Sequence, residues 1–231
     1  MKPWHWITGV VVMALLAIAS TLAGNAPLHY LSKPTATLLA LGLALTGPAV
    51  SAAYRRWIAV GLVFSTGGDV FLMLPGDWFV FGLASFLCAH VAYLVAFTRD
   101  SAFGRPLWPF AAYAILAGGV LSWLWPDLPP DLRIPVVAYV AVLAAMASQA
   151  ASRRISAAGV PGTWLAALGG GVFVVSDALL AIDRFQGGLP AGRAWVLSAY
   201  WTAQVLIALS VVPAAARART TAGEASVLPV R

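Results

Sequence analysis

Hydrophobic stretches recur along the chain, separated by short polar or turn-forming segments. Each stretch holds about 17 to 20 residues, enough to cross ~30 Å of hydrocarbon as a helix. The joints at 74–77, 126–130 and 186–190 contain Pro and Gly, which favour turns. The pattern predicts eight transmembrane helices, near residues 4–23, 34–50, 57–74, 78–97, 106–125, 134–150, 163–182 and 195–213.

We therefore predict an all-α fold, a polytopic membrane bundle of about eight transmembrane helices. Residues 1–213 would form one transmembrane domain, and the polar segment 214–231 a disordered cytoplasmic tail. The composition agrees, because 61% of the residues are hydrophobic and only 10% are charged, against about a quarter in a soluble domain. Cys88 is the single cysteine, so no disulfide or zinc framework is possible.

The basic residues predict the orientation. The net charge is +6, but the basic residues are scattered and form no stripe with interleaved aromatics, which excludes nucleic-acid binding. With the N-terminus inside, ten basic residues are cytoplasmic, and four are outside: Lys33, Arg133, Arg184 and Arg193. This favours cytoplasmic termini in a bacterial inner membrane. The first span also resembles a signal peptide, and its cleavage would leave seven spans.

Two of the eight acidic residues lie inside predicted spans. Asp69 follows Ser-Thr-Gly-Gly in the third span, and Asp177 follows Val-Val-Ser in the seventh. A charged Asp at the centre of a span costs roughly 2.5–3.5 kcal/mol, and neither span contains Lys or Arg. We expect both carboxyl groups to face the bundle interior at similar depth, and at least one to hold a proton. The alternative is that each only bonds neighbouring helices together.

Other polar side chains can reach the same interior. His90 and Tyr93 share one face of the fourth span, and Tyr200 and Gln204 share one face of the last. Cys88 lies about 200° around the helix from His90, so we expect it to face elsewhere. Candidate supporting residues are Ser65 and Ser176, which either bond the carboxylates or their own helices, and Lys33, which either reaches the headgroups or the pocket.

Short matches indicate a weak internal repeat. Gly-Asp69-x-x-Leu resembles Ser-Asp177-x-x-Leu, and Ala-His90-Val resembles Ala-Gln204-Val. Four helices separate the members of each pair. The expected arrangement is a 4+4 parallel pseudo-repeat about an axis along the membrane normal.

Five segments in order resemble the YhhN/TMEM86 family of lysoplasmalogenase-like membrane proteins, and they extend from about Tyr30 to Ser210. They are Tyr30–Pro34, Ser65–Leu74, Phe86–Tyr93, Phe173–Asp177 and Tyr200–Gln204. The resemblance implies an eight-helix fold and hydrolysis of the vinyl ether bond of a lysophospholipid. It also implies that Asp69 and Asp177 are catalytic and that no metal or cofactor is required. Two-carboxyl acid/base chemistry suits the oxocarbenium ion that vinyl ether cleavage passes through.

Two other functions are open. Asp69, His90 and Asp177 could hold a metal in a lipid ester or amide hydrolase, although zinc sites usually contain more nitrogen or sulfur ligands. Intramembrane carboxylates also serve proton-coupled small-molecule transporters. A purely structural or interaction role is the third possibility.

Overall fold

The computed structural model describes residues 2–212, and within them the chain forms eight α-helices and no β-strand. This confirms the all-α prediction. The predicted tail, 214–231, lies outside the described residues. Two short 3-10 turns, Trp125–Asp127 and Pro130–Leu132, connect α5 to α6. The helices are α1 (Pro3–Leu22), α2 (Ala26–Leu45), α3 (Ala52–Met73), α4 (Phe79–Phe97), α5 (Trp108–Leu124), α6 (Arg133–Ser156), α7 (Thr163–Phe185) and α8 (Gly192–Leu209).

The bundle is that of a multi-pass membrane protein. Within the described residues, six helical segments are long and apolar enough to cross a bilayer, namely α1, α3, α4, α5 with its following turn, α6 with its preceding turn, and α7. Helices α2 and α8 have 20 and 18 residues, but buried polar residues such as Lys33 and Gln204 lower their hydropathy. Crossing of the membrane by these two helices therefore stays a prediction.

The predicted second span, 34–50, was wrong at both ends. Helix α2 begins at Ala26, where the Asn25 side chain accepts a hydrogen bond from the Leu28 backbone N–H, and it ends at Leu45. Pro34 lies inside the helix instead of starting it. Pro34 was misleading because proline is favoured at the first position of a helix. Lys33 consequently lies about 10 Å along the helix from Ala26, at ~1.5 Å per residue, and not at the membrane surface.

Glycines allow the helices that carry the two aspartates to pack closely. A Cβ atom at Gly68 would meet the Phe86 ring at 2.5 Å, and one at Gly169 would meet the backbone of α8 at 3.2 Å. A Cβ at Gly170 would lie 3.2 Å from the backbone of α6. Close helix approach at small residues is usual in membrane bundles.

The helix neighbours follow the pattern of the expected repeat. Contacts α1–α2, α2–α3 and α3–α4 correspond to α5–α6, α6–α7 and α7–α8, and the contact α4–α6 corresponds to α8–α2. The correspondence is incomplete, and the largest departure concerns α1 and α5. Helix α1 packs against α8, whereas α5 has no comparable contact with α4. Only Pro109 and Leu124 of α5 are buried.

The predicted sixth span ends at residue 150, but α6 continues to Ser156 and includes Arg153. Arg153 is fully buried near the end of α6, and its guanidinium donates to both carboxylate oxygens of Asp100 at 2.6 and 2.7 Å. It also lies over the Tyr54 ring, 4.6 Å from the centroid. The helix extends beyond the predicted span, so this arginine joins α6 to the α4–α5 loop.

Candidate functional site

A polar cavity of about 640 Å³ lies between the helices at one end of the bundle. Its mouth, at the α1–α2 and α7–α8 connections, is lined by Gly24, Asn25, Arg184 and Arg193. Residues from six helices line it in total. Of the predicted site residues, Lys33, Asp69, Ser176, Asp177 and Tyr200 line this cavity.

Asp69 is held as a paired carboxylate. It is 1% exposed, and its Oδ2 accepts hydrogen bonds from the Thr37 hydroxyl at 2.6 Å and the Tyr200 hydroxyl at 2.8 Å. The Lys33 Nζ lies 3.6 Å from its Oδ1. Three donors from α2 and α8 thus surround one carboxylate, an environment that favours its ionised form. Its own span supplies no cation, but Lys33 of α2 does, so of the two alternatives for Lys33 the structure shows the one that reaches the pocket.

Asp177 lies in a different environment. Its Oδ2 accepts a hydrogen bond from the Tyr139 hydroxyl at 2.5 Å, and the Nε2 of His90 lies 4.0 Å from the same oxygen. No Lys or Arg among the described residues forms an ion pair with it. The neighbouring Ser176 donates to the Val196 carbonyl of α8 at 3.1 Å and not to the carboxylate. Asp177 therefore has one donor and no cation.

The remaining predicted residues form a buried layer behind the cavity. The Tyr93 hydroxyl donates to Gln204 Oε1 at 2.8 Å and lies 3.3 Å from the Ser65 hydroxyl. The His90 ring is fully buried and meets Tyr93 edge to face, with centroids 6.5 Å apart. These four residues join α3, α4 and α8 but are not among those that line the cavity. Cys88 is exposed on the opposite side of α4, as predicted.

An apolar cleft of about 240 Å³ adjoins the polar cavity. It lies among α4, α5, α6 and α7, where α5 stands away from α4, and its walls are almost entirely aliphatic and aromatic. Asp177 lines both spaces, as do Leu72, Phe79 and Phe86. One carboxyl group is thus presented where a polar chamber meets a space suited to a hydrocarbon chain.

The residues do not assemble a metal centre. Within residues 2–212, no group of three or more His, Cys, Asp or Glu side chains is placed to hold a metal ion. His90 approaches Asp177 but not Asp69, which is surrounded by hydrogen-bond donors. The metal-dependent alternative therefore lacks a ligand set in this part of the chain.

Sequence reasoning missed four polar residues of the site. Thr37 and Tyr139 hydrogen-bond the two aspartates, and His29 and Arg193 line the cavity. Thr37 carried no signal, because threonine in a helix usually bonds its own backbone. Tyr139 lies six residues after the start of α6, where an interfacial aromatic is common, so it carried no signal either.

The fold and this site define a multi-pass helical membrane protein with two carboxyl groups in an interior cavity. The chain belongs to the YhhN family, whose model matches residues 28–211. It is 33% identical to a protein of Mycobacterium bovis named lysoplasmalogenase, over 88% of this chain and 79% of that protein. It is 38% identical to the Bos taurus lysoplasmalogenase TMEM86A, over 74% of this chain and 70% of that protein. No solved structure matches the chain.

Proposed function

We propose that this protein is a membrane-embedded hydrolase of the lysoplasmalogenase type. It cleaves the vinyl ether bond of a lysophospholipid, giving a fatty aldehyde and a glycerophospho-headgroup. The relatives named lysoplasmalogenase support this class of enzyme. The observation that carries the proposal is the position of Asp177, between a polar cavity and an apolar cleft. A one-chain lipid needs these two environments on either side of its reactive bond.

Asp177 is the proton donor in this proposal. The vinyl ether carbon distant from the oxygen takes a proton, which leaves an oxocarbenium ion at the adjacent carbon. Tyr139 donates to Oδ2 of Asp177, so Oδ1 is the oxygen that remains to carry the proton. Because no cation pairs with Asp177 and the apolar cleft lies beside it, its neutral form is favoured before substrate binds.

Asp69 is the ionised partner. Thr37, Tyr200 and Lys33 keep it charged, so it stabilises the oxocarbenium ion and orients the attacking water. Water adds to the cationic carbon, and its proton passes by way of Asp69 to the Asp177 carboxylate, which restores both groups. The hemiacetal then collapses to the aldehyde and the free alcohol. The same division between a neutral and a charged carboxyl group serves glycosidases, which pass through a similar cation.

We propose that the reaction takes place on the outer side of the membrane. The cavity mouth lies at the end opposite the N-terminus, and the ten-to-four distribution of basic residues favours a cytoplasmic N-terminus. In a bacterial inner membrane the substrate would then enter from the outer leaflet.

The test is turnover of purified protein with a 1-O-alkenyl lysophosphatidylethanolamine, with the aldehyde measured by mass spectrometry. We expect Asp177→Asn and Asp69→Asn each to lower kcat by at least about 100-fold, the usual contribution of a positioned acid or base. Cys88→Ser, which changes an exposed residue away from the cavity, is the matched control and should retain wild-type turnover. Full activity in either Asn variant would refute the two-carboxyl mechanism.

The same preparation separates the alternatives. Turnover of the 1-acyl analogue that is lost after treatment with a chelator would favour the metal-dependent ester hydrolase. Proton flux or solute uptake in proteoliposomes, with no turnover of any lipid, would favour the transporter.

A further inference from the structure

One cationic side chain at the cavity has no acidic partner among the described residues. Lys33 pairs with Asp69 at 3.6 Å, and Arg184 pairs with Asp77 at 3.3 Å. Arg193 also lines the cavity, is exposed, and forms no ion pair within residues 2–212. One guanidinium is therefore open to a ligand in the cavity.

Asp183 also lines the cavity, and its carboxylate bonds the backbone of the neighbouring connection. The Asp183 carboxylate accepts a hydrogen bond from the Leu189 backbone N–H at 2.9 Å and so stabilises the α7–α8 connection. The guanidinium of Arg193 is therefore the group at the mouth that can bind an anion, although the reaction centre below it contains two carboxyl groups.

His29 is positioned to share that anion. Its Nδ1 lies 2.9 Å from the Thr21 hydroxyl and 3.2 Å from the Ala17 carbonyl, both in α1. These contacts fix the half-buried ring, and its Nε2 makes no hydrogen bond within the described residues. The ring lines the cavity, and Arg193 lies within electrostatic range of both His29 and Lys33.

We propose that Arg193 and His29 form an anion subsite at the cavity mouth that binds the phosphate of the lipid substrate. The inference rests on the proposed function and adds the group by which the headgroup is recognised. Arginine suits phosphate because its planar guanidinium can donate two parallel hydrogen bonds. Arg193 precedes Tyr200 by seven residues, about 10 Å along α8. That distance leaves room for the glycerol unit between the phosphate and the carboxyl groups.

Binding of two uncleavable lipids tests the subsite independently of turnover. The first is a 1-O-alkyl lysophosphatidylethanolamine, which has a saturated ether, and the second is a 1-O-alkylglycerol of the same chain length without phosphate. Affinities for the purified full chain in neutral detergent are measured through its tryptophan fluorescence. The variants are Arg193→Gln, Arg193→Lys and the control Arg133→Gln. Arg133 stacks over Trp125, 4.9 Å from the ring centroid, and does not line the cavity.

We expect Arg193→Gln to weaken binding of the phospholipid about 10-fold, because a charge-assisted hydrogen bond usually contributes about that much. The affinity for the alkylglycerol should stay within about twofold of the wild-type value. Arg193→Lys should recover part of the loss, and Arg133→Gln should bind both lipids like the wild type. Equal weakening for both lipids, or none for either, would overturn the subsite. Saturation of the wild type by inorganic phosphate below 1 mM, without preference for the lipid, would overturn its assignment to a headgroup.

The anion subsite and the proposed hydrolase function can fail separately, and the experiments tell the two failures apart. If the phospholipid preference depends on Arg193 but no alkenyl lipid is cleaved, the subsite stands and the proposed reaction is wrong. If alkenyl lipid is cleaved and Arg193→Gln changes neither affinity nor KM, the reaction stands and the subsite is wrong.

Discussion

The ion pair between Lys33 and Asp69 predicts that the two aspartate-to-asparagine variants differ in stability, although both should lose activity. Asp69→Asn removes the partner of a lysine that is only 7% exposed and lies two turns inside the bundle. Asp177→Asn removes a carboxyl group that no cation faces within the described residues. The same chemical change therefore leaves a charge unpaired in one variant and not in the other.

The size of the difference follows from these environments. Breaking a buried ion pair by removing one partner costs about 3–5 kcal/mol, and we take the lower end because the cavity gives Lys33 some water. Asn at 177 keeps an oxygen that can accept from Tyr139, so the change there should not exceed the value of one hydrogen bond, about 1 kcal/mol. For a chain of this length, about 3 kcal/mol corresponds to a melting temperature lower by roughly 6–12 °C.

The assay is thermal unfolding in detergent, followed by the intrinsic fluorescence of the ten tryptophans. The control is the double variant Lys33→Met/Asp69→Asn, which removes both charges. Replacing a buried ion pair by apolar groups is often neutral, so this variant should return to within about 1 kcal/mol of the wild type while remaining inactive.

Two results would refute this reasoning. Equal melting temperatures for Asp69→Asn and Asp177→Asn would mean that Lys33 does not depend on Asp69 for its charge balance. Failure of Lys33→Met to restore stability in the double variant would mean that Asp69 stabilises the bundle through its hydroxyl donors instead.

Three further predictions concern the rest of the bundle. Ala144→Trp should fill the apolar cleft, so the variant should cleave short-chain alkenyl lipids and lose those with long chains, as measured by competition between chain lengths. Asn25→Cys in a Cys88→Ser background should react with an impermeant thiol reagent added outside intact cells, and reaction only after lysis would contradict the proposed orientation. Asp100→Leu should lower stability by about 3–5 kcal/mol because it leaves the buried Arg153 unpaired, and Arg153→Met/Asp100→Leu should recover most of it.

The helical layout was largely predictable from the sequence, because hydrocarbon thickness sets the length of each span and the joints contain turn formers. Seven of the eight predicted spans overlap the observed helices with differences of a few residues. The exception, α2, shows the limit of this reasoning. Its first two turns contain His29 and Lys33, which are polar and so do not look like part of a span. Their partners are Ala17 of α1 and Asp69 of α3, and these contacts cannot be read from the sequence of α2.

The helices that contribute to the site were predictable from the sequence, but only some of the contacts between their side chains were. Asp69 and Asp177 stood out because an acidic residue is costly in a span, and both do line one cavity. Their partners did not stand out. A threonine or tyrosine in an apolar helix costs little, so Thr37 and Tyr139 gave no comparable signal. Which aspartate has a cation depends on how α2 packs against α3, a long-range contact that hydropathy does not encode.

The departure from pseudo-symmetry explains how two similar carboxyl groups can take different roles in the proposed mechanism. Asp69 and Asp177 occupy corresponding helices, and each accepts a hydrogen bond from a hydroxyl on the corresponding neighbour, α2 or α6. One half adds Lys33, which favours a charged Asp69. The other half lets α5 stand away from α4, which opens an apolar cleft beside Asp177 and favours its neutral form. In the proposed mechanism the acid and the base therefore differ for two reasons. Lys33 adds a cation beside Asp69, and the absence of a comparable α4–α5 contact opens the apolar cleft beside Asp177.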